Sequence, residues 1–547
     1  MALTALACSG FTFMALEILF LRELQITLGG TLYASSATLA SVMLGLFIGS
    51  QLFGRLSRKS PDIGAVFLRL ELALAAAAAA TIPALRALGT AEPWPLRYAA
   101  SFAVILVPSA LAGGELPVAM QFLEPAIAPG ETGFATGLVY GADTLGALLG
   151  ALVLPFLLLP HLGAWRSALL AAAMTLAAAL PLWIFASRAR RGSALAAGAV
   201  AAVLVAGLGR SGAAFDLRTA GWVMPAPIPG LKLSFSQDTP YQRIQLFGDL
   251  NDDASDANPR VLVLDGVVEN SVPTLPRFRE SALLGLISHP APRRVLVIGC
   301  GDGDFLQAIL LDPRVEYLRQ VELDASVIRT ATVYLTEHPA FSMGGLRHDR
   351  RHHLTIGDGR SFLQQSRETY DLILSDLPHA AHEGAAAFYS AEFFKLAASR
   401  LNPGGIFMTH VYRPDKDAPG GRAKAVAALA IAARTAREAF SEVRVISPFL
   451  RPEGADEDWA PHWLIASQTP LGASGADAAR RIARLDPKPG WLTPSAYADA
   501  WLGAVDLGRY DGWPVSTDDR PAILFPELWT KLTPARDLRP AKSAVKL

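Results

Sequence analysis

The sequence predicts an α-helical multi-pass membrane domain followed by a small β-domain and an α/β domain with a parallel sheet. Three observations lead to this prediction. Residues 1–210 hold only 21 of the 98 charged side chains and contain long apolar runs. Residues 240–268 alternate short apolar runs with turns rich in Asp, Asn and Gly, as β-hairpins do. From residue 294, short apolar runs alternate with helical patterns, which favours parallel strands joined by helices.

Seven stretches of the first 210 residues are candidates for membrane spans, since about 20 apolar residues cross a bilayer. They are residues 5–28, 32–55, 64–86, 97–119, 133–160, 164–187 and 193–209. The last stretch is short and rich in Ala and Val, so it either crosses the bilayer or lies flat or re-entrant in it. The chain has 49 basic and 49 acidic residues, and this balance excludes a nucleic-acid-binding protein that relies on bulk positive charge.

Several ionisable residues lie within these apolar stretches. Such residues are costly in a bilayer and are therefore candidates for function. We predict a membrane polar site formed by Glu17, Glu115 and Asp143, of which Asp143 lies in a stretch of small residues that allows close helix packing. The alternative is a structural role, in which Glu17, Arg22 and Glu23 pair near one helix end and Arg69 pairs with Glu71.

In the α/β part, glycines and acidic residues follow the predicted strands. The carboxyl ends of strands are where ligands bind in open α/β sheets. A glycine-rich turn lets the backbone approach a ligand, and an acid at the end of the second strand can accept hydrogen bonds from ribose hydroxyls. The set therefore predicts an adenosine-containing ligand. Its members are Gly299, Gly301, Asp302 and Gly303 after residues 295–298, Glu322 after 317–321, Gly357-Asp358-Gly359 after 353–356, and Asp376 after 371–375.

These motifs resemble those of the spermidine synthase (polyamine aminopropyltransferase) family. The segments that carry the resemblance are Val295–Gly303, Glu322–Asp324, Gly357–Gly359, Leu374–Asp376, Tyr241-Gln242 and Leu264–Gly266. The first half resembles the membrane-fused bacterial branch at Ser9–Phe11, Leu16-Glu17, Leu21-Arg22, Tyr140–Gly146 and Thr517–Pro521. The resemblance implies a methyltransferase-like Rossmann domain preceded by a small β-domain. The expected boundaries are 1–210 for the membrane domain, 215–290 for the β-domain, 291–450 for the Rossmann domain and 451–547 for a C-terminal cap.

The resemblance implies transfer of an aminopropyl group from decarboxylated S-adenosylmethionine, as co-substrate, to an amine, with release of methylthioadenosine. Asp376 would accept the proton of the amine, and Asp302 would bind the ammonium group of the donor. The implied donor-binding residues are Gln242, Gly299, Gly301, Asp302, Gly303, Glu322, Asp324, Asp358 and Gly359. The candidate acceptor-binding residues are Tyr241, Glu269, His379 and Tyr389. No cofactor, metal or nucleic acid is expected.

The acceptor side departs from the family's pattern. Asp376 precedes Leu377-Pro378-His379, where spermidine synthases have Ser-Ser-Asp-Pro, and Arg277 and Arg279 would repel a diamine. Putrescine is therefore not implied as the acceptor, although Glu269 and Glu280 are candidates to replace the missing acid. Two other functions stay open. One is an S-adenosylmethionine-dependent methyltransferase, and the other is a transporter or sensor with a non-catalytic synthase-like domain.

The orientation in the membrane follows from two opposing arguments. Basic clusters at 55–59 and 188–191 would lie on the cytoplasmic side, which places the soluble half outside if residues 193–209 cross the bilayer. An adenosyl donor is made in the cytoplasm, and on this chemistry we expect a multi-pass inner-membrane protein with a cytoplasmic soluble half. Membrane lipids and a second copy of the chain, as a homodimer, are the expected partners besides the substrates.

Overall fold

The computed structural model divides into two compact units, one of Met1–Asp249 with Val261–Glu269 and one of Leu250–Arg260 with Asn270–Leu547. The residues that the structure describes are 1–28, 32–89, 91–127, 131–186, 201, 204, 207–223, 230–252, 254–274, 276–335, 343–377, 383–411, 421–446, 463–502 and 512–525. The predicted domain boundaries at 210, 290 and 450 stay predictions.

Within the described part of the first unit, six helices are long and apolar enough to cross a membrane, which supports the multi-pass prediction. The predicted seventh stretch, 193–209, lies mostly outside the described residues. The helices are α1 (Ala2–Leu28), α2 (Leu32–Lys59), α3 (Ile63–Ala87), α4 (Trp94–Ile127), α5 (Thr132–Val153) and α6 (Ala164–Ala186), followed by α7 (Arg210–Val223). Helix α5 continues through a π-helical turn, Leu154–Leu158, into a short helical turn, Leu159–Leu162.

Small residues bring the membrane helices together. A Cβ atom on Gly146 of α5 would lie 1.8 Å from the carbonyl oxygen of Ala7 in α1, and one on Gly49 of α2 would lie 1.8 Å from that of Ala110 in α4. These backbones touch because no side chain intervenes, which is how helices pack where burial of apolar surface gives no advantage over lipid. The stretch of small residues around Asp143 therefore packs against α1, as its composition suggests.

A small antiparallel sheet follows the helices, with strands in the order β1-β2-β3-β4. Its strands are β1 (Leu233–Asp238), β2 (Arg243–Phe247), β3 (Arg260–Leu264) and β4 (Val267–Val272). Asp265 and Gly266 connect β3 to β4 with φ angles of 46° and 83°. Two positive φ angles in a row define the hairpin turn that matches the twist of antiparallel strands. The structure confirms the small β-domain.

The second unit contains a seven-stranded sheet in the order β10-β11-β9-β8-β5-β6-β7, in which β5 to β9 are parallel and β10 and β11 are antiparallel. Most of its strands are buried along their length, which explains their continuous apolar runs. The strands are β5 (Arg294–Gly299), β6 (Tyr317–Glu322), β7 (His352–Ile356), β8 (Tyr370–Asp376), β9 (Leu401–His410), β10 (Glu442–Ile446) and β11 (Trp463–Ser467). The predicted α/β domain is confirmed.

Short helices connect these strands and cover the sheet. They are α8 (Pro276–Glu280), α9 (Leu283–Ser288), α10 (Asp304–Leu310), α11 (Ala325–Tyr334), α12 (Met343–Leu346), α13 (Gly359–Gln365), α14 (Ala391–Ser399), α15 (Gly421–Ala436), α16 (Gly475–Ile482) and α17 (Pro494–Leu502). Two 3-10 helices, Glu383–Tyr389 and Ala522–Leu524, complete the elements. A buried core containing Phe393, Phe394 and Phe407 joins α14 to β9.

An ion network is buried inside the first unit. Glu23 of α1 is fully buried, and its carboxylate accepts hydrogen bonds from Arg86 of α3 at 2.9 Å and from Arg243 of β2 at 2.6 Å and 3.1 Å. Arg243 also donates to Asp238 at 2.9 Å, and Asp238 accepts from Arg22 at 3.2 Å. The alternative of local pairing is therefore wrong for Glu23, because its partners come from another helix and from the β-sheet.

We predict that Glu23→Ala lowers the free energy of unfolding by about 3–5 kcal/mol, because it leaves two buried guanidinium groups without their shared partner. Exposed Glu131, which makes no capping hydrogen bond, offers the control Glu131→Ala, expected to change this free energy by less than about 0.5 kcal/mol. Denaturation of the full chain in mixed micelles measures both. Equal stability of the two variants would contradict this reading of the network.

Candidate active site

The candidate site lies at the edge of the seven-stranded sheet where the parallel strands end. Strands β5 and β8 are paired so that Gly299 lies beside Asp376, and β6 ends at Glu322 beside Ile356 of β7. This register places the acidic residues of different strands at one edge, as predicted from their positions after apolar runs.

The turn after β5 has no room for side chains at its glycines. Gly299 and Gly303 have φ angles of 87° and 86°. A Cβ atom on Gly299 would lie 2.0 Å from the carbonyl oxygen of Asp376, and one on Gly301 would lie 2.7 Å from Val327 Cγ1. Cys300 adopts a φ of 57°, which a residue with a Cβ atom rarely does. The turn is held close to β8 on one side and to α11 (Ala325–Tyr334) on the other.

Two carboxylates and a thiol converge at this turn. Cys300, Asp302 and Asp376 each place a ligand atom within 4.8 Å of those of the other two. Asp302 accepts a hydrogen bond from the Asn270 side chain at 2.7 Å. Burial raises the pKa of Asp302 well above its usual range, and the charges of Asp304 and Asp376 raise it further. A bound cation would relieve this cost. The expectation that no metal binds stays a prediction.

Glu322 is buried at the end of β6. Its Oε1 atom accepts a hydrogen bond from the amide of Asp324 at 2.8 Å, and its Oε2 atom faces the turn at Gly301. Burial raises the pKa of Glu322 to about 7. The carboxylate therefore changes its charge near neutral pH.

Asp324 and Asp358 cap helices. One carboxylate oxygen of Asp324 accepts a hydrogen bond from the amide of Ser326 at 2.8 Å, and one of Asp358 accepts from the amide of Ser361 at 2.7 Å. Asp324 is 3% exposed, whereas Asp358 is exposed. Asp358 can therefore contact a ligand with its second oxygen, and Asp324 is suited to hold the start of α11.

His410 is a site residue that the sequence patterns did not identify. It ends β9, and its Nδ1 atom lies 3.5 Å from Asp376 Oδ1. The rings of Trp463, Phe305 and Phe278 surround its ring, with centroids 3.5, 5.4 and 5.9 Å away. A polar residue after the apolar run at 406–409 is the same signal that identified Asp376. Asn270 carries no comparable local signal.

Tyr389 does not fit the predicted acceptor role. Its side chain is fully buried, and its hydroxyl donates a hydrogen bond to the carbonyl of His410 at 2.6 Å. It is placed to hold the end of β9 instead. Glu280 does not replace the missing acid, because its carboxylate accepts hydrogen bonds from the amides of Gly490, Trp491 and Leu492 at 2.6–2.7 Å.

Three further predicted residues belong to the first unit. Tyr241 is 54% exposed, Gln242 lies in the turn before β2, and Glu269 is half-buried in β4. His379 lies outside the described residues. The roles of these four residues stay predictions.

Comparison with known proteins shows which proteins the chain resembles. Residues 281–415 match the spermine/spermidine synthase domain. Polyamine aminopropyltransferase 1 of Streptomyces coelicolor is 28% identical over 515 residues, which cover 92% of this chain and 90% of that protein. A polyamine aminopropyltransferase of Mycobacterium tuberculosis is 32% identical over 332 residues, which cover 57% of this chain and 59% of the relative. A spermidine synthase structure from Thermotoga maritima is 20% identical, with a TM-score of 0.39, over 49% of this chain and 83% of that chain.

These matches confirm the resemblance found in the motifs. The chain carries a spermine/spermidine synthase domain at residues 281–415 and is homologous to polyamine aminopropyltransferases over most of its length.

We predict that Gly359→Ala destabilises the second unit by about 1–3 kcal/mol through overpacking. The new Cβ atom would lie 2.3 Å from Cγ2 of Ile298, whose β-branched side chain cannot move easily within β5. Gly357→Ala is the matched control, because nothing lies within 4 Å of its added Cβ atom. Thermal unfolding of both variants measures the difference, and an unchanged Gly359→Ala would show that α13 can shift freely.

Proposed function

We propose that this chain, a membrane-associated homologue of polyamine aminopropyltransferases, transfers the aminopropyl group of decarboxylated S-adenosylmethionine to an amine. The observation that carries the proposal is the pair of carboxylates, Asp302 and Asp376, that meet within 4.8 Å beside the glycine turn of the synthase domain. Two carboxylates at this distance favour cationic ligands, and both substrates of the proposed reaction are ammonium ions.

The donor would bind along the edge from β5 to β7. Glu322 is placed to accept hydrogen bonds from the ribose hydroxyls with Oε2, which faces the turn at Gly301. The exposed Asp358 would contact the adenine, and Asp302 would bind the terminal ammonium group. S-adenosylmethionine carries a carboxylate beside that ammonium group, and Asp302 would repel it. This repulsion favours the decarboxylated donor over ordinary S-adenosylmethionine, and hence aminopropyl transfer over methyl transfer.

Asp376 would hold the attacking amine. A free alkylamine has a pKa of about 10 and is mostly protonated at neutral pH. Asp376 binds the cation and takes its proton as the nitrogen attacks the methylene carbon next to sulfur. The carbon–sulfur bond breaks, and its electron pair stays on sulfur. The sulfonium becomes a neutral thioether, methylthioadenosine, so this leaving group needs no acid.

His410 supports Asp376 in this scheme as a positioning residue. Its Nδ1 atom lies 3.5 Å from Asp376 Oδ1, and Trp463 and Phe305 fix its ring. The Tyr389 hydroxyl donates a hydrogen bond to the backbone carbonyl of His410 and so fixes the end of β9. The soluble half is proposed to lie in the cytoplasm, where the donor is made. A homodimer is a further proposal that rests on the likeness to polyamine aminopropyltransferases.

We predict that the full chain in detergent converts decarboxylated S-adenosylmethionine and an amine to methylthioadenosine, and that Asp376→Asn lowers kcat at least 100-fold because the proton acceptor is lost. Methylthioadenosine should bind the variant with a Kd within about threefold of the parent's. Asp499, which is exposed, offers the control Asp499→Asn, expected to leave kcat unchanged. The assay measures methylthioadenosine formed with a panel of diamines and polyamines.

Two outcomes of this assay would reject the proposal. Methyl transfer from S-adenosylmethionine, with no product from the decarboxylated donor, would identify a methyltransferase. Binding of the nucleoside without turnover of any amine, and unchanged in Asp376→Asn, would identify a sensor. A chelator added to the active protein should leave the rate unchanged.

We predict that methylthioadenosine binds about tenfold more tightly at pH 8 than at pH 6. The pKa of Glu322 is about 7, so its carboxyl group is mostly protonated at pH 6 and mostly ionised at pH 8. Only the ionised form leaves Oε2 free to accept hydrogen bonds from the ribose hydroxyls while Oε1 accepts from the Asp324 amide. Calorimetry on the full chain at several pH values measures this, and Glu322→Gln should bind weakly with no pH dependence. A pH dependence retained in Glu322→Gln would assign it to another group.

A further inference from the structure

Three membrane helices bring acidic side chains to one place inside the first unit, and a fourth helix packs against them. Glu71 comes from α3, Glu115 from α4 and Asp143 from α5, and the charges of Glu115 and Asp143 act on Glu71. Helix α1 contributes a close contact without a side chain, since a Cβ atom on Gly10 would lie 2.7 Å from Asp143 Oδ1. We name this group of three carboxylates the intramembrane acidic site.

The carboxylates of this site have few hydrogen-bond donors near them among the described residues. Glu71 is fully buried and Glu115 is 3% exposed. Among the described residues, neither oxygen of Glu71 has a hydrogen-bond partner, and Oε1 of Glu115 has none. The nearby Ser9 hydroxyl donates its proton to the carbonyl of Leu6 at 3.0 Å. Ser9 lies close enough to interact with Glu71 and Glu115, but its hydroxyl has a single proton to donate. Most of the oxygens of the two carboxylates therefore stay available as acceptors.

Among the described residues, no arginine or lysine forms a salt bridge with these carboxylates. The strongest charges acting on Glu71 are those of acidic groups, namely Glu115, Cys8 and Asp143. The predicted pair of Arg69 with Glu71 does not form, because Arg69 is exposed and Glu71 is buried. Residues two apart on a helix point in different directions. The contrast with Glu23, which has two buried arginine partners, shows that this unit compensates a buried acid where its role is structural.

We propose that the intramembrane acidic site binds an organic ammonium ion, of the class of linear aliphatic polyamines. Ionisable groups within membrane spans commonly mark a path or site for ions and substrates. An ammonium group has three N–H donors, which match the available oxygens of Glu71 and Glu115. The choice of a polyamine as the ligand rests on the proposed function, since the same chain would make or consume such amines.

The spacing of the three acids favours this ligand over a single metal ion. Among the described residues, the group that brings three ligand atoms within 4.8 Å of one another is Cys300, Asp302 and Asp376, not this one. A metal ion needs its ligands at little more than 2 Å from one centre. A polyamine carries several ammonium groups along a chain and can therefore meet carboxylates that lie farther apart.

Glu17 was predicted to belong to the same site but lies apart from it. It stands eight residues from Ser9 on α1, which corresponds to about 12 Å along the helix axis. Glu17 is half-buried, and it is not among the groups with the strongest electrostatic effect on Glu71 or Glu115. Glu17 thus provides a matched control, an acid of the same membrane domain outside the site.

The test is equilibrium binding of radiolabelled spermidine to the full chain in lipid nanodiscs. An Asp376→Asn background removes the acceptor position of the synthase domain, so binding that remains comes from elsewhere. We expect saturable binding in this background, weakened at least tenfold by Glu71→Gln or Glu115→Gln and unchanged by Glu17→Gln. No saturable binding, or binding unaffected by the Glu71 and Glu115 changes, would overturn the proposal.

A second measurement uses the unmutated protein and therefore tests the site even if the variants fold poorly. Dicyclohexylcarbodiimide modifies buried protonated carboxyl groups, and mass spectrometry of the unmutated protein locates the modified residue. Spermidine should protect Glu71 or Glu115 but not Glu17. Equal labelling with and without spermidine would identify a proton site only and overturn the proposal.

Aminopropyl transfer is measured on the same preparations to separate this proposal from the proposed function. Loss of spermidine binding in Glu71→Gln with transfer by the synthase domain retained supports two separate sites. Absence of transfer from every preparation, with binding at Glu71 retained, rejects the proposed enzyme and leaves the membrane site standing.

Discussion

A carboxylate can be buried in this protein only where a positive charge or a set of donors compensates it, and this constraint organises both units. Glu23 is compensated by Arg86 and Arg243, which tie α1 to α3 and to β2. Glu280 is compensated by three backbone amides. Where the protein provides too few such partners, as at Asp302 and Glu71, the missing charge must come from a proton or a ligand. Structural and functional acids are thus distinguished by their partners.

The parallel sheet brings several carboxylates together at one edge, where they form the candidate site. Because parallel strands end at a common edge, one acid after each strand is enough to collect several carboxylates without long loops. The glycine turn then brings the backbone of β5 against β8, with Gly299 in contact with the Asp376 carbonyl. Aromatic rings pack around His410, which lies beside Asp376. The charges stay close together because the register of the strands leaves them no alternative.

Features that depend on neighbouring residues in the chain could be predicted from the sequence, whereas contacts between residues far apart in the chain could not. Strand ends, the glycine turn and the six apolar helices depend on local patterns, so the positions of Asp302, Glu322 and Asp376 could be predicted. The partners of Glu23 lie 63 and 220 residues away in the chain, and no local sequence pattern predicts them. The same applies to the burial of Tyr389 and to Asn270, whose contact with Asp302 joins different elements of the second unit. Helix caps such as Asp324 resemble binding residues because both roles require an acid after a strand.

Under the proposed function, amine specificity depends on whether Glu269 adds a second carboxylate to the acceptor position, and without Glu269 we expect it to be broad. A site that binds one ammonium group of a diamine at Asp376 can select diamines by length only if a second carboxylate binds the other ammonium group at a fixed distance. Residues 377–382 contain no acidic residue, and Glu280 is occupied by backbone amides. Asp302 is assigned to the donor in the proposed function. A site with one carboxylate for the amine can recognise its nucleophilic end but has less means to discriminate the rest of the molecule, so selection of the amine would depend on what reaches the site. A membrane domain with its own affinity for polyamines would supply such selection, which gives a physical reason for joining the two domains in one chain.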